Sequence, residues 1–189
     1  MTTIVFLHSP ATSPFTWRQV ADYLPPAWAV AAPDLRACTS AAEMDAAIAR
    51  DLQAVSDEQA VLVAEGAGAI PALHFAQAYP ELVAGVIVSA AQLSWSRLNT
   101  LGARATHRKA TREAGPMMTA LRGVTVDGQV VAASGVPGVA LRPEKTPGQV
   151  PAAFDSKTIA EASADWYEYA PDAFAANIVQ VIASWAEES

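Results

Sequence analysis

Cysteine is almost absent from this chain. Cys38 stands alone, which excludes an internal disulfide and any cluster of thiolate metal ligands. Histidine occurs only at positions 8, 74 and 107. Basic residues are scarce as well, twelve against nineteen acidic ones. The resulting net charge of −7 removes the basic footprint that a nucleic-acid binder needs. Long apolar runs are missing: Leu82–Val88 is far shorter than a bilayer crossing. Ile4–Leu7, with no basic residue before it, is too short for a signal peptide. What is present is a hydrophobic content of 52% with 16% charged residues, the balance of a globular chain able to bury a full core. The expectation is a single cytoplasmic domain over residues 1–189, with no cofactor, no metal, and neither nucleic acid nor membrane as partner.

Periodicity supplies the elements. Thr3–Leu7 is a short β-branched and aromatic run that reads as a buried strand. Ser13-Pro14 then offers an N-cap and a proline at the first helical position, and Trp17, Val20, Ala21 and Leu24 follow at helical spacing. Trp28–Ala32 predicts a second strand. Ser40-Ala41-Ala42-Glu43 is a capping box opening a helix through Met44, Ile48, Leu52 and Val55. A third strand is expected at Ala60–Ala64, a helix from about Ala67 to Tyr79, and a fourth strand at Gly85–Ser89. Strands alternating with helices of this length predict a mostly parallel sheet covered on both faces. Beyond Ala90 the alternation breaks: residues 91–122 read as a helical excursion. Asp127-Gly128 between two valine pairs predicts a hairpin over 124–131. Val139–Arg142 and Lys157–Ala160 read as strands, and Pro171 opens a last helix with Phe174, Ile178, Val181, Ile182 and Trp185 on one face.

This order of elements, together with Val5-Phe6-Leu7-His8-Ser9-Pro10, the later Trp17 and Pro33-Asp34-Leu35-Arg36, resembles small actinobacterial members of the α/β-hydrolase fold family. Val61–Val88, including Tyr79-Pro80-Glu81, is similar to that family's nucleophile strand, elbow, helix and following strand. Ala170–Phe174 resembles the start of its final helix. The resemblance implies an α/β-hydrolase fold with the cap domain absent or minimal, residues 91–122 standing where relatives carry a lid.

It also implies a catalytic triad that this chain does not spell. The elbow pattern G-x-S-x-G places a nucleophile on a sharp strand-to-helix turn between small residues. Here the corresponding segment is Ala64-Glu65-Gly66-Ala67-Gly68. Without gaps the nucleophile position is Gly66; a shift by one residue makes it Glu65. The family's histidine precedes the last helix, where Ala164 or Asp165 stands instead. The oxyanion hole draws on the N–H after the nucleophile, here Ala67, and on one from the loop after the first strand, where Pro10 has none.

Ordinary serine hydrolysis is therefore not expected. Glu65, His8 and Ser9 remain as candidate catalytic groups, with Gly66 and Ala67 as backbone contacts to a developing oxyanion. Trp17, Trp166 and Asp165 are candidate substrate contacts, and Trp95, Tyr167 and Tyr169 candidate pocket aromatics. A carboxylate in an apolar pocket suits acid–base work. That points to a lyase, isomerase or cyclase on a small organic substrate, a reaction type suited to secondary metabolism. The alternatives are a pseudoenzyme that binds a ligand or partner, and an atypical esterase or acyltransferase using Glu65. Arg104, Arg108, Lys109 and Arg112 form a basic patch in an acidic protein. Such a patch would suit a CoA thioester or an acidic carrier protein.

Overall fold

Six strands form one sheet, and every pairing in it is parallel. In the computed structural model, which describes residues 1–188 apart from the side chains of Lys109, Ala110 and Glu188, the strands are β1 (Thr3–Leu7), β2 (Ala29–Ala31), β3 (Ala60–Glu65), β4 (Val83–Ser89), β5 (Gly138–Pro143) and β6 (Asp155–Ile159). They lie in the order β2-β1-β3-β4-β5-β6. The chain thus starts near the middle, winds outward one way, crosses back through β3 and continues the other way. The C-terminal ends of β1 and β3, which pair from Thr3↔Ala60 to Leu7↔Ala64, meet at the crevice where open parallel sheets hold their ligands.

The alternation of side chains along the strands divides the core in two. Ile4, Phe6, Val61, Val63 and Ile87 face one layer; Val5, Leu7, Leu62, Ala64, Val86 and Val88 face the other. On the first face lie α1 (Arg18–Asp22), α8 (Trp166–Tyr169) and α9 (Pro171–Glu188), with Trp17, Trp166, Phe174, Ile178 and Val181 packed against the strands. The opposite face is covered by α2 (Ala41–Gln53) and α3 (Ala69–Ala78), through Met44, Ile48, Leu52, Ile70, Leu73 and Phe75. Helix α2 begins where the capping box places it. The Ser40 hydroxyl accepts the Glu43 N–H, but the Glu43 carboxylate reaches back to the N–H and hydroxyl of Thr39 rather than to Ser40.

The excursion consists of α4 (Arg97–Thr106), α5 (Arg108–Glu113) and α6 (Gly115–Leu121). Helix α6 is anchored by buried Met117, Met118 and Leu121. Helix α4 carries a full capping box, in which Ser96 and Asn99 each satisfy the other's backbone N–H. This is a minimal cap.

One expected element is different. The hairpin expected over 124–131 is instead a loop followed by α7 (Gly128–Ala133). Asp127 caps that helix, its carboxylate accepting the Gln129 N–H at 2.9 Å. The Asp-Gly pair is a helix start here because Gly128 packs directly on the backbone of Ala152 and on Pro151, where no side chain fits. Val131, which the strand pattern would pair across a turn, instead enters the core below the sheet.

Candidate active site

The turn from β3 into α3 has the geometry of a nucleophile elbow. Glu65 ends the strand in extended conformation, Gly66 takes φ +51°, and a 3₁₀ turn over Gly66–Gly68 leads into the helix. The left-handed apex is therefore Gly66, as in the ungapped reading of the motif. A Cβ at Gly68 would stand 2.6 Å from the Leu7 carbonyl oxygen, so the close approach of helix to strand requires glycine there. A Cβ at Gly66 would meet only the Ser9 Cβ, at 3.7 Å. The position can hold a side chain, and the sequence puts none in it.

Glu65 points elsewhere. Its carboxylate is buried, and Oε1 accepts two hydrogen bonds, from the Ser9 N–H at 2.9 Å and from the Thr12 hydroxyl at 2.8 Å. The Ser9 N–H is shared with Thr12 Oγ1 at 3.1 Å, and the Thr12 N–H closes a turn onto the Ser9 carbonyl. Pro10 is the second residue of that turn, a place its fixed φ suits. Glu65 thus ties the β1–α1 loop to the elbow. The nearby Tyr167 hydroxyl is held well above its ordinary pKa, chiefly by burial and further by the Glu65 charge.

His8 is completely buried and spends both ring nitrogens on backbone. Nε2 accepts the Leu35 N–H at 3.1 Å, which leaves Nδ1 to donate to the Ser9 carbonyl at 2.9 Å. Asp34 lies 3.7 Å from Nε2, but its carboxylate is gripped by Arg36, which holds it well below the usual carboxylate range. The imidazole braces the loops after β1 and β2.

A cavity of about 500 Å³ opens above the elbow. Ser9, Gly66 and Ala67 line it from the elbow side, Gln92 and Trp95 from the segment after β4, and Leu98, Asn99, Gly102, Ala103 and Thr106 of α4 with His107 from a largely exposed rim. Of the residues singled out from sequence, Ser9, Gly66, Ala67 and Trp95 meet here; Glu65 and His8 do not line it. Nor do the expected substrate contacts. Trp17 is sealed in the core, stacked on Phe6 at 4.8 Å, because its helix faces the sheet. Trp166 is equally buried and donates its indole N–H to Ser89 Oγ at 3.0 Å. Asp165 is exposed and accepts the Ser163 hydroxyl in the loop where the family's histidine would stand. Glu144, at the end of β5, accepts the Glu161 N–H and braces the same loop.

Several lining residues were not read from the sequence: Gln92, Leu98, Asn99, Gly102, Ala103, Thr106 and His107. A signal existed. Leu98, Gly102 and Thr106 recur every fourth residue beside Asn99 and Ala103, a small-residue stripe at helical spacing. Arg104, Arg108 and Arg112 surround a separate concavity of about 390 Å³ with Thr111; the Lys109 side chain lies outside the described residues. Among the described residues, no three His, Cys, Asp or Glu side chains are grouped to hold a metal ion, and no helix is long and apolar enough to cross a membrane.

An all-parallel sheet in this order, with an elbow after β3 and helices on both faces, defines the α/β-hydrolase fold, and this chain has it. Among solved structures it is similar to a carboxylesterase from the thaumarchaeon Nitrososphaera gargenis, with a TM-score of 0.73 at 12% identity over 100% of this chain and 92% of the other. It is also similar to an α/β-hydrolase enzyme from a lagoon-sediment metagenome (TM-score 0.70, 16% identity, 99% and 91% covered). A third similar structure is a haloalkane dehalogenase from Bradyrhizobium elkanii (0.68, 16%, 97% and 89%). No family model matches the sequence, and no curated protein matches it. At such identities the likeness is one of fold.

Proposed function

We propose that this protein is a non-hydrolytic member of its fold, a pseudoenzyme that binds a small organic ligand in the cavity above Gly66. The observation that carries this reading is the pairing at the elbow. The residue at the apex has no side chain, and the adjacent carboxylate is committed to Ser9 and Thr12 instead of the cavity. A carboxylate that satisfies a backbone N–H and a hydroxyl in a buried site serves the loop it ties down. The cavity presents apolar groups from Trp95, Ala103 and the exposed Leu98, and polar groups at Ser9, Gln92, Asn99 and His107. That is the composition of a site for a small amphiphilic molecule. An acid–base enzyme of the lyase or isomerase type would need Glu65 to exchange its two donors for a substrate.

Two measurements test the proposal together. Native mass spectrometry of the purified protein should show a bound small molecule that is lost in Gly102→Trp, a substitution that fills the cavity. Incubation with p-nitrophenyl esters of increasing chain length should give no turnover above buffer. Ester turnover that disappears in Glu65→Gln would overturn the binding reading in favour of a carboxylate mechanism.

A further inference from the structure

The outward side of the excursion carries three guanidinium groups around one concavity. Arg108 and Arg112 lie about one helical turn apart on α5, and Arg104 stands near the end of α4, before the bend at His107. They line a hollow of about 390 Å³ together with Thr111. Among the described residues none of the three makes a salt bridge. The neighbouring carboxylate of Glu113 is engaged by Arg36. Arg108 and Arg112, four residues apart on α5, repel each other. The protein has nineteen acidic residues, yet among the described residues no carboxylate lies within salt-bridge distance of this cluster.

The chemistry that answers three converging guanidiniums is a compact multiple anion. A single carboxylate would leave two of them facing each other, whereas a diphosphate offers several oxygens to planar forks of N–H donors. The hollow is also placed to share a ligand with the cavity over the elbow. Thr106 and His107 line that cavity; Arg108 follows His107 directly and Arg104 precedes Thr106 by two residues, where the bend at His107 (φ −129°, ψ 50°) joins α4 to α5.

We propose that Arg104, Arg108 and Arg112 form an anion site for the phosphate end of an organic diphosphate, whose organic end crosses the α4–α5 junction into the cavity above Gly66. This rests on the cavity-binding reading for the organic end but not for the anion.

Titration calorimetry at low salt with inorganic pyrophosphate and with coenzyme A tests both halves on the full chain. Pyrophosphate should bind saturably to wild type and to Gly102→Trp, and at least tenfold more weakly to the double variant Arg108→Gln/Arg112→Gln. Both arginines are exposed, so the double variant keeps the fold, which its circular dichroism spectrum would verify. Coenzyme A should bind at least tenfold more tightly than pyrophosphate to wild type, and Gly102→Trp should erase that gain. Absence of saturable pyrophosphate binding, or binding indifferent to the arginine substitutions, overturns the anion site. Pyrophosphate binding without any gain for coenzyme A overturns the bridge to the cavity and leaves the anion site standing. Saturable binding of poly-glutamate with none of pyrophosphate assigns the surface to an acidic protein and likewise overturns the proposal.

Discussion

Replacing Glu65 with alanine separates a structural carboxylate from a functional one. In the wild type, Oε1 accepts the Ser9 N–H at 2.9 Å and the Thr12 hydroxyl at 2.8 Å. Hydrogen bonds to a charged group contribute about 1.5–3 kcal/mol each. Ser9 keeps its second acceptor, Thr12 Oγ1, so the loss lies between one such bond and two. Removing the carboxylate also relieves its desolvation, which offsets part of the cost. The net expectation is a loss of about 3 kcal/mol, or about 6–12 °C in melting temperature for a chain of this size. Glu65→Gln keeps an acceptor oxygen and should cost only about 1 kcal/mol. Urea unfolding followed by circular dichroism reads both values. The double variant Glu65→Ala/Thr12→Val closes a cycle whose coupling should exceed about 1 kcal/mol, because the two side chains share the bond. If Glu65→Ala leaves stability unchanged or raises it, the carboxylate is held in place against stability, as groups reserved for function are, and the tie between loop and elbow is refuted.

Gly68→Ala should destabilise by about 3 kcal/mol, since its Cβ would press on the Leu7 and His8 carbonyls of a central strand that cannot move aside; an unfolding midpoint within error of wild type would contradict the close approach. Gly66→Ser has room for its side chain and should fold with a penalty of about 1 kcal/mol for the left-handed backbone. It should remain inert toward p-nitrophenyl acetate, because no histidine stands in the loop between β6 and α8; measurable acyl-enzyme formation would contradict this. Asp34 has its folded pKa depressed by Arg36, so its contribution is complete above the ordinary value of 3.8 and is lost as pH falls through the depressed one. The stability difference between wild type and Asp34→Asn should therefore be constant from neutral pH down to about 4 and shrink below it. It should amount to less than about 1 kcal/mol, since the pair is partly exposed. The Cys38 thiol, raised by burial, should resist alkylation in the native protein at neutral pH and react at once on unfolding.

Much of this molecule was legible along the chain, for physical reasons that act over short distances. The nearly unbroken apolar runs in Thr3–Leu7 and Ala60–Glu65 report two-faced burial directly, and Ser40 and Pro171 mark helix starts through caps that involve only neighbouring residues. That the elbow's apex is Gly66, without a side chain, could be read because the small-residue spacing there is a steric requirement, and the absence of histidine from the loop between β6 and α8 is plain in the sequence. Asp127-Gly128 misled because the same dipeptide suits a hairpin turn and a helix cap, and the choice was made by a contact with Ala152 distant in sequence.

Where the polar side chains point was decided only by the tertiary structure. Glu65 and His8 stand at strand ends, and position alone allows them to enter the crevice. The loop that follows β1 folds back so that Ser9 and Thr12 claim the carboxylate, while the Leu35 N–H claims the imidazole. A buried polar group goes to the partners that satisfy it, and here those partners come from 27 to 56 residues away. Trp17 and Trp166 went to the core for a different reason, the apolar layer beneath α9 that their rings fill: Trp166 finds Ser89 for its indole N–H, whereas the Trp17 N–H has no hydrogen-bond partner among the described residues. The sequence by itself determined the sheet, its elbow and the vacancy at the elbow's apex. Only the packing of the β1–α1 loop and of α4 over that apex decided that the vacancy opens into a cavity while the carboxylate beside it faces away.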